Sequence, residues 1–333
     1  MERTHTEHAH AKVNLLLRVL AREASGYHGL ETLFQRLALH DVVTVHTGVP
    51  DRVLSCDGPA MPAGGLGAPE QNLAWRAAES YVRATGWDTG WRITIDKHIP
   101  VGGGLGGGSA DAAAVLRAMD AMNPAPIGMA RLLELGGLLG ADVPFLVSGA
   151  SRAWAWGRGD RLLVLPALAP ADLVLFTFTD GVNTAAAYRA LAEQRMAAGH
   201  GVTAHAYGTD ALNDWERIAA IAINDFESVV PMMHAGVRAL LPVLRDAVAH
   251  RAADAPRDGA PIIGMMSGSG ATCFALLAGD ETSGAVGIPS RMAAIASLVD
   301  RPRTSGTVIE SATVRSGDSV RPSLMQRAAS AAS

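Results

Sequence analysis

Between Gly102 and Gly108, six of seven consecutive residues are glycine, with only Leu105 interrupting the run. Each glycine removes a Cβ that would keep the backbone away from a ligand, and each loses more conformational freedom on folding than any other residue. Such a run belongs where the main chain itself is used, and its flanks say how. Upstream, Trp91, Ile93 and Ile95 alternate with Arg92, Thr94 and Asp96, the period of a strand, and the segment continues through Lys97 and Ile99 to Pro100. Downstream, Ser109 opens an alanine-rich stretch through Leu116 that favours a helix. In the order strand, glycine loop, helix, successive N–H groups converge on an anion, and the positive end of the helix dipole adds to the attraction. Ser109 and Asp111 fall in the first helical turn, where a hydroxyl can meet a phosphate oxygen and a carboxylate can hold a metal. The competing reading is a flexible linker, and the helix former that follows without pause speaks against it.

Two better-known phosphate loops do not fit. The run lacks the Gly-Lys-Ser/Thr ending of a Walker loop, so no lysine arrives from within it. The dinucleotide spacing Gly102-x-Gly104-x-x-Gly107 is nearly unavoidable among six glycines. It also demands a following strand that ends in an acidic residue, and Asn123-Pro124-Ala125-Pro126 stands there instead.

A chain of 333 residues exceeds one ordinary core, which predicts two packed domains. Ala11 to Leu20 suits a buried strand, although Lys12, Asn14 and Arg18 interrupt it. Leu30 to Thr47 is a second extended region, followed by a loop over Asp57 to Pro69. Helices are expected over Gln71 to Thr85 and Met129 to Leu139, with Gly86 and Gly140 as stops, and a hairpin over Ala150 to Pro166. Beyond it the pattern predicts strands at Leu173 to Phe178, Ile262 to Met266, Thr272 to Ala278 and Thr307 to Val314, with helices at Thr184 to Ala198, Val237 to Arg251 and Ser290 to Val299. This is a split β-α-β arrangement of the ferredoxin-like kind. The Ser- and Ala-rich tail from Ser316 is expected to be disordered.

Charge excludes one large class of partners: 28 basic against 32 acidic side chains, without a basic cluster, predict no nucleic-acid grip. Two distant cysteines, Cys56 and Cys273, support neither a disulfide framework nor a cysteine metal site. The first ten residues carry no apolar stretch and no run is long enough to cross a bilayer, so a cytoplasmic protein without a membrane partner is expected. His5, His8 and His10 read as solvated side chains of a flexible terminus.

The stretch Ile99-Pro100-Val101-Gly102-Gly103-Gly104-Leu105-Gly106-Gly107-Gly108-Ser109-Ala110-Asp111-Ala112-Ala113 resembles the second, ATP-binding motif of the GHMP kinase superfamily. Ala11-Lys12-Val13-Asn14-Leu15 is similar to its first motif, and Met266-Ser267-Gly268-Ser269-Gly270-Ala271-Thr272 to its third. Four shorter stretches, Gly26-Tyr27-His28, Thr32-Leu33-Phe34-Gln35, Gly140-Ala141-Asp142-Val143-Pro144 and Asn224-Asp225-Phe226-Glu227, resemble one branch of it whose acceptor alcohol carries a diphosphocytidyl group. The resemblance touches most of residues 9 to 278.

It implies an α+β, two-domain GHMP kinase fold: an N-terminal ribosomal-protein-S5-like domain over 1–166, a ferredoxin-like domain over 167–315, and the tail 316–333. It further implies an ATP-dependent small-molecule kinase, with ATP and Mg²⁺ as cofactors and a monomer or homodimer as the working unit. Asp142 would be the base and Lys12 the cation that orients it and stabilises developing charge. Lys97, Pro100, the loop Gly102, Gly103, Gly104, Leu105, Gly106, Gly107 and Gly108, Ser109 and Asp111 would hold the nucleotide, with no protein ligand assigned to the metal. Asn14, Tyr27, His28, Phe178, Thr184, Ser267, Gly268, Ser269 and Gly270 would hold the acceptor, the Tyr27 ring stacking on cytosine. Asp180 stands where that branch carries a Phe, so Phe178 is the candidate for the second face of the base. Two rivals stay open. One is another acceptor, homoserine, mevalonate or a sugar, against which Gly26-Tyr27-His28 speaks; the other is a non-catalytic nucleotide-binding relative, against which Lys12 and Asp142 speak.

Overall fold

The structure, a computed structural model, describes residues 2–22, 28–199, 205–253, 261–277, 306–312 and 326–328. The chain divides into two compact units. The first comprises Met1–Lys12, Gly29–Val101 and Leu105–Leu165, and the second Val13–His28, Gly102–Gly104 and Pro166–Ser333. The sequence boundaries keep residues 13–28 and 102–104 in the first domain; the structure groups them with the second unit.

In the first unit the long strands β1 (Arg3–Arg22, which runs on into the second unit) and β2 (His28–Val49) are neighbours in a sheet ordered β3-β4-β2-β1. β3 (Arg52–Asp57) lies parallel to β4 (Gly90–Asp96), and β4 is antiparallel to β2. The expected loop after Asp57 is present, but the strand before it was not anticipated. Along β4, Trp91, Ile93 and Ile95 are buried while Arg92, Thr94 and Asp96 face out, as the alternation requires. The N-terminus departs from expectation. Arg3 to His10 are strand, held by cross-strand pairs such as Thr6 Oγ1 to Thr44 Oγ1 at 3.1 Å, so His5, His8 and His10 belong to a sheet.

Four helices cover this sheet: α1 (Leu73–Thr85), α2 (Gly107–Met122), α3 (Gly128–Leu139) and α4 (Val143–Ser148). The Asn72 side chain accepts the Ala74 N–H at 2.9 Å to start α1, and Gly86 ends it at φ 66°. α2 buries an unbroken series from Ala110 to Leu116, Asp111 included, and its alanines at 110 and 112–114 let it sit close to its neighbours. The hairpin β5 (Arg152–Gly157) and β6 (Arg161–Val164) adds to β2 through Leu30 to Gln35.

The second unit is an antiparallel sheet ordered β12-β11-β7-β10-β9. Its strands are β7 (Asp172–Phe178), β9 (Ile263–Met266), β10 (Cys273–Leu277), β11 (Gly306–Ala312) and β12 (Gln326–Ala328). Every β10 residue is buried. Helix α5 (Thr184–Ala198) has the expected bounds, and its Asn183 cap accepts the Ala186 N–H at 2.9 Å. α6 (Trp215–Ile221), the two-residue strand β8 (Ile223–Asn224) parallel to β1, and α7 (Val230–Met233) were not anticipated. α8 (Ala235–Ala253) packs on β9 and β10. Within the segment 316–333, expected to lack structure, Gln326–Ala328 pair with β11 and the rest lies outside the described residues. The helix expected over Ser290 to Val299 also lies outside them. Helices packed with largely antiparallel sheets make the α+β architecture the sequence implied. Among the described residues no helix is long and apolar enough to cross a membrane.

Candidate active site

Alternate residues of the glycine loop, Gly102, Gly104 and Gly106, take left-handed φ of 78°, 78° and 75°. Left-handed residues alternating with their neighbours belong to the kind of main chain that forms anion-binding concavities. The helix begins earlier than the sequence implied: Gly106 is the residue before the first turn, and Gly107 and Gly108 already lie inside α2. Ser109 and Asp111 remain near its mouth. Pro100 is half-buried just before the loop, and Leu105 is buried, its carbonyl accepting the Lys12 N–H at 3.0 Å.

In the first unit, Lys12 and Asp142 meet. The Lys12 ammonium is 3.1 Å from Asp142 Oδ2, with side-chain exposures of 3% and 30%. Lys12 also stands 5.6 Å from the centroid of the Phe34 ring, whose face favours a cation. Asp142 occupies the position that precedes α4, where an Asp ordinarily caps the helix, yet its side chain makes no capping bond. The carboxylate is turned to the lysine instead.

Behind the loop lies a buried triad that sequence reasoning missed in part. The Lys97 ammonium contacts Asp41 and stands 2.6 Å from Asp111 Oδ2, all three side chains being almost fully enclosed. Lys97 and Asp111, expected at the nucleotide, are thus given to each other. Asp41 Oδ1 accepts the N–H groups of His98 at 2.5 Å and Ile99 at 2.8 Å, tying β2 to the chain that leads into the loop. Burial works against the Lys97 charge, but the Asp111 and Asp41 carboxylates outweigh it and raise its pKa. Burial pushes the Asp111 carboxyl up to about 7, against the pull of Lys97 and with the charge of Asp41 in support. Among the described residues Asp111 Oδ1 has no hydrogen-bond partner. The available signal for Asp41 was an acid inside an apolar alternating strand.

In the second unit two glycine turns pack backbone against backbone. A Cβ on Gly104 would stand 2.4 Å from the Ser267 carbonyl oxygen, and one on Gly268 would stand 3.1 Å from the Gly104 carbonyl oxygen. Ser267 Oγ donates to the Gly104 carbonyl at 3.1 Å, and the Thr272 N–H to the Gly103 carbonyl at 3.2 Å. The Gly268 N–H donates to Asn14 Oδ1 at 3.1 Å, joining β1 to the same turn. Gly270 takes φ 91°, and Ser269 Oγ lies 2.8 Å from Thr184 Oγ1. Asn224 donates from its amide nitrogen to the Met266 and Gly268 carbonyls at 2.8 Å each, while Glu227 Oε1 accepts the Met266 N–H at 2.6 Å. Asp225 Oδ2 accepts the Val19 N–H at 2.8 Å and bonds Arg195 at 2.6 Å. The Asn224 to Glu227 motif therefore braces the turn, a role its sequence did not reveal. The Phe178 ring packs on His234, ring centroids 4.9 Å apart, and Asp180 Oδ2 is 3.1 Å from the same histidine. Tyr27 lies outside the described residues, as does the His28 side chain, whose backbone opens β2.

Residues 72–150, which hold the glycine loop and Asp142, match the family described as GHMP kinases N terminal domain. The class is that of the GHMP kinases. Within it, a 4-diphosphocytidyl-2-C-methyl-D-erythritol kinase of Desulfitobacterium hafniense (strain Y51) is 33% identical over 273 residues, 82% of this chain and 87% of the relative. Another of that name, from Pelotomaculum thermopropionicum (strain DSM 13744 / JCM 10971 / SI), is 38% identical over 280 residues, 83% and 90%. A solved 4-(cytidine 5'-diphospho)-2C-methyl-D-erythritol kinase superposes with a TM-score of 0.66 at 29% identity, covering 93% of this chain and all of that one. The chain belongs to the 4-diphosphocytidyl-2-C-methyl-D-erythritol kinase family, and it is a kinase.

Proposed function

We propose that the protein transfers the γ-phosphoryl group of ATP to the 2-hydroxyl of 4-diphosphocytidyl-2-C-methyl-D-erythritol, giving the 2-phosphate and ADP. The observation that carries the reading is the Lys12 to Asp142 ion pair, 3.1 Å long and lying against Gly106 of the glycine loop. Phosphoryl transfer to an alcohol needs an acceptor for the hydroxyl proton and positive charge near the transferring group. Asp142 takes the proton as the hydroxyl oxygen attacks phosphorus, and the bond to the ADP oxygen breaks. Lys12 holds the Asp142 carboxylate in place and offsets negative charge on the moving group. The glycine loop and the start of α2 supply N–H donors to the triphosphate, as the left-handed φ values at Gly102, Gly104 and Gly106 permit.

Mg²⁺ fits this arrangement as a companion of the nucleotide. The Asp111 carboxylate is engaged by Lys97 and that of Asp142 by Lys12, which leaves the phosphate oxygens, water and the Ser109 hydroxyl as its natural ligands. Bound there, it would neutralise charge on the phosphates. Asn14, Tyr27 and His28 would take the cytidyl end, as family membership supports.

A coupled ADP-release assay with a panel of alcohols tests the reading. ADP formed with the diphosphocytidyl acceptor, and not with homoserine or mevalonate, supports it. Turnover of homoserine or mevalonate alone overturns the acceptor, and ATP binding without turnover of any alcohol overturns the enzyme.

A further inference from the structure

β1 and β2 bring three histidines together on one patch of the sheet. Thr4 meets His46 at 2.8 Å and Thr6 meets Thr44 at 3.1 Å across the two strands, and in the same progression the His10 and His40 rings meet with centroids 5.1 Å apart. His8, two residues before His10 and so on the same face, stacks on His40 at 4.3 Å. Ala9 and Ala11, which alternate with them, are buried on the opposite face. One ring nitrogen from each histidine lies within 4.8 Å of those of the other two.

The hydrogen bonds of two of these rings decide where their lone pairs lie. His10 Nδ1 is 2.8 Å from the Leu37 carbonyl oxygen, and His40 Nδ1 is 2.7 Å from that of Ala38. A carbonyl only accepts, so in each ring Nδ1 carries the proton and Nε2 carries the lone pair. Pinning one ring nitrogen to a backbone carbonyl is how proteins orient histidines whose other nitrogen ligates a metal. The phosphoryl-transfer chemistry uses none of the three residues.

We propose that His8, His10 and His40 bind one divalent transition-metal ion of the zinc class, clipping β1 to β2 and leaving a fourth position for water. Three imidazoles suit zinc, copper or nickel rather than Mg²⁺, which prefers oxygen. Zinc–nitrogen bonds of about 2.0–2.1 Å need the ring nitrogens about 3.4 Å apart. From within 4.8 Å of one another the three nitrogens must draw together to that spacing as the ion binds, and the exposed His8 ring has the freedom to turn. Arg36, whose Nη1 donates to the Gly149 carbonyl at 2.6 Å, places a positive charge near His10 that weakens cation binding there.

The test uses the untagged full chain, stripped with chelator, titrated first with Co²⁺ and then with Zn²⁺. The expected result is one equivalent of cobalt with the visible absorption of a four-coordinate ion, displaced by zinc. Affinity should fall at least ~10-fold in His8→Ala and in His40→Gln, and be unchanged in His5→Ala. His8 is exposed, so that variant folds, which circular dichroism without metal checks. No bound equivalent overturns the proposal, as does equal affinity in His8→Ala or a loss confined to His5→Ala. Because the readout is metal affinity, the outcome is independent of whether the kinase reading stands.

Discussion

Gly106 leaves the space of its missing Cβ to Lys12: an added carbon there would stand 3.1 Å from both Cγ and Cε of the lysine and 3.6 Å from Asp142 Oδ2. The glycine that opens helix α2 is therefore also a wall of the Lys12–Asp142 pair. Gly106→Ala should be damaging twice over. Its φ of 75° costs alanine about 1–2 kcal/mol, and the methyl displaces Lys12 from the carboxylate. The expected outcome is a loss of ~100-fold in kcat with a smaller change in stability, read from steady-state kinetics beside a urea melt.

Asp142→Asn keeps the shape of the side chain and removes its capacity to take a proton. A fall in kcat of about 10²–10⁴ is expected, with the KM for ATP little changed. Near-normal turnover would remove Asp142 as the base.

Asn224 is buried, and its amide satisfies two backbone carbonyls of the turn that packs on Gly104. Asn224→Ala strands both of them. The expected cost is on the order of 2–4 kcal/mol in urea unfolding. The acceptor KM should rise as well, because the same turn carries Gly268, whose N–H holds Asn14.

The triad of Asp41, Lys97 and Asp111 makes stability depend on pH. Two buried carboxylates share one ammonium, and the Asp111 carboxyl is raised from 3.8 to about 7. Between those values the folded state binds more protons than the unfolded one. The stability this group contributes is therefore full below about pH 4 and is lost as pH rises through about 7. Asp111→Asn carries no such proton. Measured by urea unfolding, wild type should lose on the order of 2–3 kcal/mol relative to this variant between pH 5 and pH 8. A pH-independent difference would refute the shift.

Much of the fold was legible locally. The alternation of Trp91, Ile93 and Ile95, the stop at Gly86, the exact bounds of α5 and the step from glycine loop to α2 all rest on interactions among residues close in the chain. The misses have the opposite character. Arg3 to His10 look polar and free as a tail, yet a strand accepts polar residues on an open face once β2 offers it hydrogen bonds. β3, α6 and β8 are short, and their existence depends on neighbours far away in sequence. At the site, Lys97 suits a phosphate and Asp111 a metal by residue type and position, and only packing shows them facing each other and Asp41.

By itself, then, the sequence determined where the backbone must be bare, which segments alternate or wind, and which family the motifs belong to, because these are properties of residue type and short spacing. Tertiary structure decided the partners. It joined Lys12 to Asp142 across 129 intervening positions, gave Asn224 the Met266 and Gly268 carbonyls, and set His10 beside His40. A side chain's charge and shape limit what it can bind, but which group it meets is settled only when distant strands and helices close on one another and water is excluded between them.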